Sequence, residues 1–187
     1  MPPGYSPSVP APLMLGLHGA GGSGSSWISA MRPAADTHGV VMFAPDSRDQ
    51  TWDAIGGIFD EDARFIDRAL AKVFSMVNVD PARIAIAGFS DGATYSLSLG
   101  LANGDLFPSI IAFSPGFILD ATPHGHPRFF IEHGTADSVL PIDACSRRIV
   151  PNLQAAGYDV TYTEFDGGHI VTTTERDDAF AWLVAAQ

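Results

Sequence analysis

The chain has 187 residues, of which 46% are hydrophobic and 17% charged, a composition typical of a globular domain rather than a disordered segment. The formal net charge is −11 and Lys72 is the only lysine, so the chain is not expected to bind nucleic acid or another polyanion. Its longest apolar runs have the length of strands, far short of the ~20 residues that cross a bilayer, and no membrane association is expected.

Short apolar runs alternate with stretches of helical periodicity along the chain. The first twelve residues are rich in proline and predict an extended N-terminal arm, residues 1–12. The predicted strands are Leu13–His18, Val40–Ala44, Arg83–Phe89, Ser109–Phe113, Arg128–Glu132 and Asp159–Phe165. The predicted helices are Trp27–Thr37, Asp60–Met76, Ala93–Leu101, Ala144–Ala155 and Arg176–Ala186, with Ser25 or Ser26 and Thr174 as N-caps of the first and last. This alternation predicts a single α/β domain over residues 1–187, with a mostly parallel sheet of about six strands flanked by helices.

The ends of the chain and its cysteine content bear on where the protein works. The N-terminal arm has no basic residue and no apolar helix, so it does not resemble a secretory signal, and a cytoplasmic location is expected. A secreted chain already trimmed of its signal would look the same. Cys145 is the only cysteine, which excludes an internal disulfide and leaves the redox compartment open; a packing role is expected for it.

A five-residue motif carries the strongest functional signal. Gly88–Gly92 reads Gly-Phe-Ser-Asp-Gly and matches G-x-S-x-G between a predicted strand and a predicted helix, the context that this nucleophile motif requires. Glycines on both sides allow neighbouring backbone to pass close to the turn. An ordinary strand-to-helix turn with Ser90 as N-cap is a comparable interpretation of five residues alone. The flanking elements and the remaining site residues favour Ser90 as a nucleophile.

A nucleophilic serine needs a base and an orienting carboxylate, which follow this motif in the order acid, then base. His169 lies after the last predicted strand and is the expected base, with an exposed loop histidine as the alternative. Asp137 lies in a polar loop after the fifth strand and is the expected acid. The rival carboxylates are Asp120, Asp143 and Asp166; Asp166 is close to His169 in sequence, and Asp143 is better explained as an N-cap.

The glycine-rich turn after the first strand is the expected source of an oxyanion hole. One donor should be the backbone N–H of Ala20, with Gly21 as second choice, and the other the N–H of Asp91. His18 would then brace the turn. A phosphate-binding loop is improbable, because the run lacks both the Gly-Lys-Ser/Thr ending and the G-x-G-x-x-G pattern.

These motifs together resemble short α/β-hydrolases of the phospholipase/carboxylesterase and polyhydroxybutyrate-depolymerase-like esterase families. The resemblance rests on four segments in the expected order: Leu17–Gly22, Gly88–Gly92, His133–Pro141 and Gly168-His169. It implies an α/β-hydrolase fold and ester hydrolysis through an acyl-enzyme, in which Ser90 attacks, His169 transfers protons and Asp137 orients His169. It implies a small-molecule ester as substrate, and neither a metal nor an organic cofactor.

The chain departs from the usual pattern of these families in two places. It begins almost directly on the first parallel strand, and it has no long insertion between Ser114 and Arg128, where many relatives carry a cap. We therefore expect a minimal, lidless version of the fold with an open site that favours small or accessible acyl esters. The candidate pocket residues are Trp52, Ile55, Phe59, Phe117, Ile118, Val139 and Ile170, with core packing as the alternative for each.

Other functions are compatible with the same motifs. A thioesterase, acyltransferase or peptidase could use the same three residues, because the pocket rather than the triad selects the substrate. A non-catalytic binding protein on the same scaffold is a further alternative, disfavoured because no member of the triad is missing.

His124 and His126 have no third ligand nearby and indicate a solvent loop rather than a metal site. The sequence leaves the oligomeric state open.

Overall fold

The computed structural model describes residues 1–57, 59–119 and 122–185. Strands and helices alternate through most of it. The strands are β1 (Ala11–Leu17), β2 (Val41–Phe43), β3 (Val79–Phe89), β4 (Ser109–Phe113), β5 (Arg128–Gly134) and β6 (Val160–Phe165). The helices are α1 (Gly24–His38), α2 (Glu61–Met76), α3 (Asp91–Ala102), α4 (Ser146–Ala155) and α5 (Thr173–Val184), with a short 3-10 helix at Asp53–Gly56.

The six strands form one sheet in the order β2-β1-β3-β4-β5-β6, and every neighbouring pair is parallel. The chain moves from β1 outwards to β2 and then returns to β3 on the other side of β1. The direction of winding therefore reverses between β1 and β3, and such a reversal opens a crevice at the carboxyl ends of the strands. The predicted α/β-hydrolase architecture is confirmed, with a sheet that is wholly rather than mostly parallel.

Helices cover both faces of the sheet. On one face α2, α3 and α4 pack on the strands, and α3 is buried from Gly92 to Leu101, which explains its nearly continuous run of small and apolar residues. On the other face α1 and α5 pack through Trp27, Met31 and Phe180. The described part of the link between β4 and β5, residues 114–119 and 122–127, contains no helix. No described element therefore covers the carboxyl ends of the strands from this link.

Several predicted boundaries are wrong by a few residues, for identifiable reasons. Helix α1 begins earlier than predicted because Ser23, rather than Ser25 or Ser26, caps it and accepts a hydrogen bond from the N–H of Ser26. Thr172 rather than Thr174 caps α5, in a capping box with Glu175. Strand β3 extends back to Val79, where the chain pairs with Ala11 before an irregularity in register.

The N-terminal arm is also different from the prediction. The first strand already begins at Ala11, and residues 1–10 include turns rather than one extended segment. Asn78 holds the arm in place, since its backbone N–H bonds the Tyr5 hydroxyl and its side-chain amide donates to the carbonyl of Pro7. Among the described helices, none combines the length and apolarity needed to cross a bilayer.

Candidate active site

Ser90 lies at the sharp turn between β3 and α3, at the crevice where the winding reverses. Its backbone has φ 58° and ψ −122°, a sparsely populated conformation for a residue with a side chain. Two close backbone approaches make the turn possible. A Cβ atom on Gly88 would overlap the carbonyl of Gly92, and a Cβ atom on Gly92 would overlap the carbonyl of Leu17. The two glycines of the motif are therefore sterically required.

Ser90, His169 and Asp137 form one chain of hydrogen bonds. Nε2 of His169 lies 2.9 Å from Oγ of Ser90, and Nδ1 of His169 lies 2.6 Å from Oδ2 of Asp137. Because Nδ1 faces a carboxylate, it carries the proton, which leaves Nε2 free to accept the serine hydroxyl. The side chain of His169 is 15% exposed, whereas that of Asp137 is completely buried. The sequence placed these residues on three separate loops, and the fold brings them together.

Asp137 is held as a buried anion. Its Oδ1 accepts hydrogen bonds from the backbone N–H groups of Val139 and Leu140, at 2.9 and 2.8 Å. Burial acts to raise the pKa of Asp137, but the hydrogen bonds from His169 and these two amides outweigh it and hold the pKa below its ordinary value. The carboxylate is therefore ionised at neutral pH and suited to orienting His169.

The turn after β1 contains one of the two expected oxyanion donors. The N–H of Gly21 donates to the carbonyl of Gln50 at 2.7 Å, so Gly21 is wrong even as a second choice, since its proton is already committed. His18 braces the turn: its Nδ1 donates to the carbonyl of Gly19, and its Nε2 accepts from the N–H of Ser47. Among the described residues, the N–H of Ala20 has no acceptor.

The second expected donor, the N–H of Asp91, is at the first turn of α3 directly after Ser90. In the described part of the chain this amide also has no acceptor. The Asp91 side chain is turned to one side, where its Oδ2 accepts a hydrogen bond from the hydroxyl of Thr51 at 2.7 Å. Two unpaired N–H groups therefore flank Ser90, together with the positive end of the dipole of α3.

An open cleft of about 470 Å³ begins at His169 and runs towards α1. One wall is the turn after β1, and the other comes from Phe89 and the loop that carries His169. The ring of Phe89 lies against His169, with centroids 4.6 Å apart. The remaining lining residues are mostly apolar: Ser26, Trp27, Ala30, Met31, Ile170 and Val171. The cleft can therefore hold an apolar group beside His169.

Only one of the predicted pocket residues, Ile170, lines this cleft. The prediction of Trp52 as a pocket residue is wrong. Its side chain is 1% exposed, packs beside His18 and Tyr95, and donates from Nε1 to the carbonyl of His18. The partly buried residues Ile55, Phe59 and Ile118 pack against the core. Phe117 and Val139 are exposed side chains on the loops after β4 and β5. Sequence adjacency to a motif loop did not reveal which way a side chain points.

The residues that sequence reasoning missed come mainly from α1. Trp27, Ala30 and Met31 form the far wall of the cleft, although α1 carries no catalytic residue. A usable signal existed, because α1 directly follows the glycine turn and so must begin beside the site. His133 is a second omission: its Nε2 lies 3.3 Å from Oδ2 of Asp137.

The described rival carboxylates, Asp143 and Asp166, take no part in this hydrogen-bond chain. Asp143 is exposed and pairs with Arg147 at 2.8 Å; it does not cap α4, which begins at Ser146. Asp166 is exposed and Asp120 lies outside the described residues. Cys145 is buried beside the N-terminus of α4, as expected for a packing role.

Comparison with known proteins places this geometry in a family. The family described as Phospholipase/Carboxylesterase matches residues 38–183. A feruloyl esterase C from Emericella nidulans is 32% identical over 151 residues, which cover 76% of this chain and 55% of the relative. A putative esterase, NocK, from Nocardia uniformis is 28% identical over 157 residues, 75% of this chain and 46% of the relative. The chain thus spans about half the length of these curated relatives.

Solved structures share the fold over almost the whole chain. The esterase PE8 superimposes with a TM-score of 0.75 at 26% identity, covering 94% of this chain and 95% of its own. A phospholipase/carboxylesterase from Dyadobacter fermentans has a TM-score of 0.76 at 20% identity, with 97% and 94% covered, which supports the fold alone. The first of the two predicted resemblances is confirmed, and the chain belongs to the phospholipase/carboxylesterase family.

Proposed function

We propose that this protein is a serine carboxylic ester hydrolase that works through an acyl-enzyme. The observation that carries the proposal is the continuous chain of hydrogen bonds from Oγ of Ser90 through His169 to the buried Asp137. Membership of the phospholipase/carboxylesterase family supports it, as do relatives named as esterases. The relatives are longer proteins, so their activities support the proposal without transferring directly.

In the first half of the reaction, Ser90 forms a bond to the ester carbonyl carbon. Its hydroxyl proton moves to Nε2 of His169, and the imidazolium that results is stabilised by the ionised Asp137. The carbonyl electrons move to oxygen, where the N–H groups of Ala20 and Asp91 bind the developing charge. The intermediate then expels the alcohol, which takes the proton from His169 and leaves the acyl group on Ser90.

In the second half, water repeats the same steps on the acyl-enzyme. His169 removes a proton from water, the hydroxide adds to the acyl carbon, and the Ser90 oxygen leaves with the proton that His169 held. The partial exposure of His169 allows water to reach Nε2. The products are a carboxylic acid and a free enzyme, and no group other than the three side chains and the two amides is needed.

We propose small or accessible acyl esters as substrates, with an apolar group in the cleft beside α1. The apolar lining from Trp27 to Met31 supports this, as does the open mouth of the cleft. The curated relatives named feruloyl esterase C favour an aromatic acyl group. A panel of nitrophenyl esters of increasing chain length, with methyl ferulate, tests the proposal; activity that rises steadily with acyl length would count against it.

The triad is tested with a pair of matched serine variants. Ser114, directly after β4, is the other described serine with positive φ, and its buried hydroxyl has no hydrogen-bond partner among the described residues. Ser90→Ala should abolish hydrolysis of nitrophenyl acetate, whereas Ser114→Ala should retain the wild-type kcat within about threefold. Equal loss in both variants would indicate a folding defect, and full activity of Ser90→Ala would overturn the proposal.

A further inference from the structure

His133 on β5 is a second imidazole at the catalytic carboxylate. The residue is completely buried, and its Nε2 lies 2.8 Å from the carbonyl oxygen of Leu140 and 3.3 Å from Oδ2 of Asp137. On the other side of the ring, Nδ1 lies 2.7 Å from the hydroxyl of Ser146, at the start of α4. Oδ2 of Asp137 is also the oxygen that accepts the hydrogen bond from Nδ1–H of His169. One carboxylate oxygen thus faces two histidines.

The partners of His133 determine which nitrogen carries its proton. Nε2 faces two acceptors, a carbonyl and a carboxylate, so it must be the protonated nitrogen. Nδ1 then accepts the proton of the Ser146 hydroxyl. Burial lowers the pKa of His133 despite the neighbouring Asp137, so the ring is neutral at physiological pH. It is a fixed donor, unlike His169, which must gain and lose a proton in each cycle.

The other ionisable groups near His133 do not change charge in the working range. Cys145 directly precedes Ser146 at the start of α4, and burial raises the pKa of that thiol, which keeps it neutral. Glu164 on β6 pairs with Arg147, which lowers the pKa of Glu164 to about 2 and keeps it ionised. Asp137 and His169 are therefore the charged or titrating groups through which His133 can act.

Resting on the proposed function, we infer that His133 is a positioning residue for Asp137. Its Nε2–H, shared between Leu140 and Asp137, holds the carboxylate in the orientation that meets His169, while the Ser146 hydroxyl bonds the opposite nitrogen of the ring. The same contact has an electrostatic consequence. A carboxylate that accepts an additional N–H attracts the proton on His169 less strongly, so His133 acts on the pH dependence as well as the geometry.

A purely structural role is the alternative that an experiment must separate. In that case the bond from His133 to the Leu140 carbonyl would only fasten the loop that follows β5. Loss of this bond would then lower stability without altering the acid limb of the pH–rate profile. Two amide substitutions separate the contacts made by the two ring nitrogens of His133. The side-chain amide of asparagine reaches about as far as Nδ1, and that of glutamine about as far as Nε2.

The experiment compares His133→Asn with His133→Gln in the intact chain. His133→Asn keeps a partner for Ser146 and loses the donor to Asp137, so kcat on nitrophenyl acetate should fall about 10- to 100-fold with KM within about twofold. The acid limb of kcat/KM should also move up by roughly half a pH unit. His133→Gln keeps the donor and should remain within about threefold of wild type in kcat. Equal kcat and equal pH profiles for the two variants would overturn the inference.

Ser146→Ala is the matched control for lost stability. It removes a buried hydrogen bond from the same cluster but leaves Nε2 of His133 facing its two acceptors. We expect a lower Tm with an unchanged acid limb; a shifted limb would contradict the inference. Nitrogen NMR of the wild type supplies a test that needs no variant: a neutral His133 protonated on Nε2 supports it, and a charged ring or the other tautomer overturns it. An inactive wild type would instead contradict the proposed function.

Discussion

His133 and His169 contact the same oxygen of Asp137 and have different properties. His133 has no exposed surface and both of its nitrogens are committed to fixed partners. His169 is partly exposed, and its second nitrogen faces only the hydroxyl of Ser90. Proximity to a carboxylate is therefore not enough to make a histidine a general base. Access to a transferable proton, rather than proximity to Asp137, distinguishes the two side chains.

The largest loss of activity should come from replacing His169, whose Nε2 faces the hydroxyl of Ser90. His169→Ala should lower kcat by about four to six orders of magnitude, because no other group can take the proton of Ser90. His124→Ala, on an exposed loop residue, is the control and should stay within about twofold of wild type. Steady-state hydrolysis of nitrophenyl acetate measures both. Substantial activity in His169→Ala would contradict this assignment, since it would mean that His133 can replace His169.

The shared carboxylate should show the next largest effect. Asp137→Asn should lower kcat by about three to four orders of magnitude, because an amide no longer selects the tautomer of His169 that accepts from Ser90. Asp143→Asn provides the matched control, since that exposed carboxylate only pairs with Arg147. Stopped-flow or steady-state assays at neutral pH measure the difference. If both variants keep wild-type activity, another carboxylate orients His169.

The contrast between these two histidines also marks the limit of sequence reasoning. The motif around Ser90, the position of His169 after the last strand and the loop of Asp137 follow from strand order, because parallel strands bring their carboxyl ends to one edge. The role of His133 does not follow. It stands in the same segment as Asp137, but its contact with Asp137 depends on the path of the loop through Leu140 and on Ser146 from α4.

The residues around the cleft also show that the sequence alone does not predict which side chains are buried and which face the cleft. Trp52 and Ile170 were both predicted as pocket residues from their nearness to motifs, yet Trp52 is buried under His18 and Ile170 is on the cleft wall. Strand β4 was predicted with its observed bounds, whereas the caps of α1 and α5 were not. Apolar periodicity locates elements, but the direction of a loop side chain depends on tertiary contacts.

Glu132 extends the comparison to the opposite face of the sheet. It precedes His133 on β5, so its side chain points away from the triad towards α5. Burial raises its pKa to about 8, with further contributions from Glu175 and Asp178. A carboxyl with a raised pKa stabilises the fold fully below its ordinary pKa, and this contribution is lost as the pH rises towards 8.

The variant Glu132→Gln should therefore flatten the dependence of stability on pH. Between pH 5 and pH 8, the free energy of unfolding should fall by about 3 kcal/mol less in the variant than in the wild type. Urea denaturation followed by circular dichroism at pH 5, 6, 7 and 8 measures the slope. Parallel slopes for the wild type and the variant would show that Glu132 does not titrate in this range.

The smallest expected change in activity concerns the cleft, which is lined by His169 but not by His133. Ala30 is exposed on the cleft wall, and Ala30→Trp should narrow the space for bulky acyl groups. We expect kcat/KM for methyl ferulate to fall about fivefold, with nitrophenyl acetate within about twofold of wild type. Equal effects on both esters would place the acyl group outside the cleft.

A fluorophosphonate probe tests directly whether Ser90 is a nucleophile that His169 activates. Incubation of the intact chain followed by peptide mass spectrometry should locate one adduct on the peptide that contains Ser90. The labelling rate should fall as the solution is made acidic and His169 is protonated. Ser90→Ala should remain unlabelled. No adduct on the wild-type chain, or equal labelling of Ser90→Ala, would contradict the account.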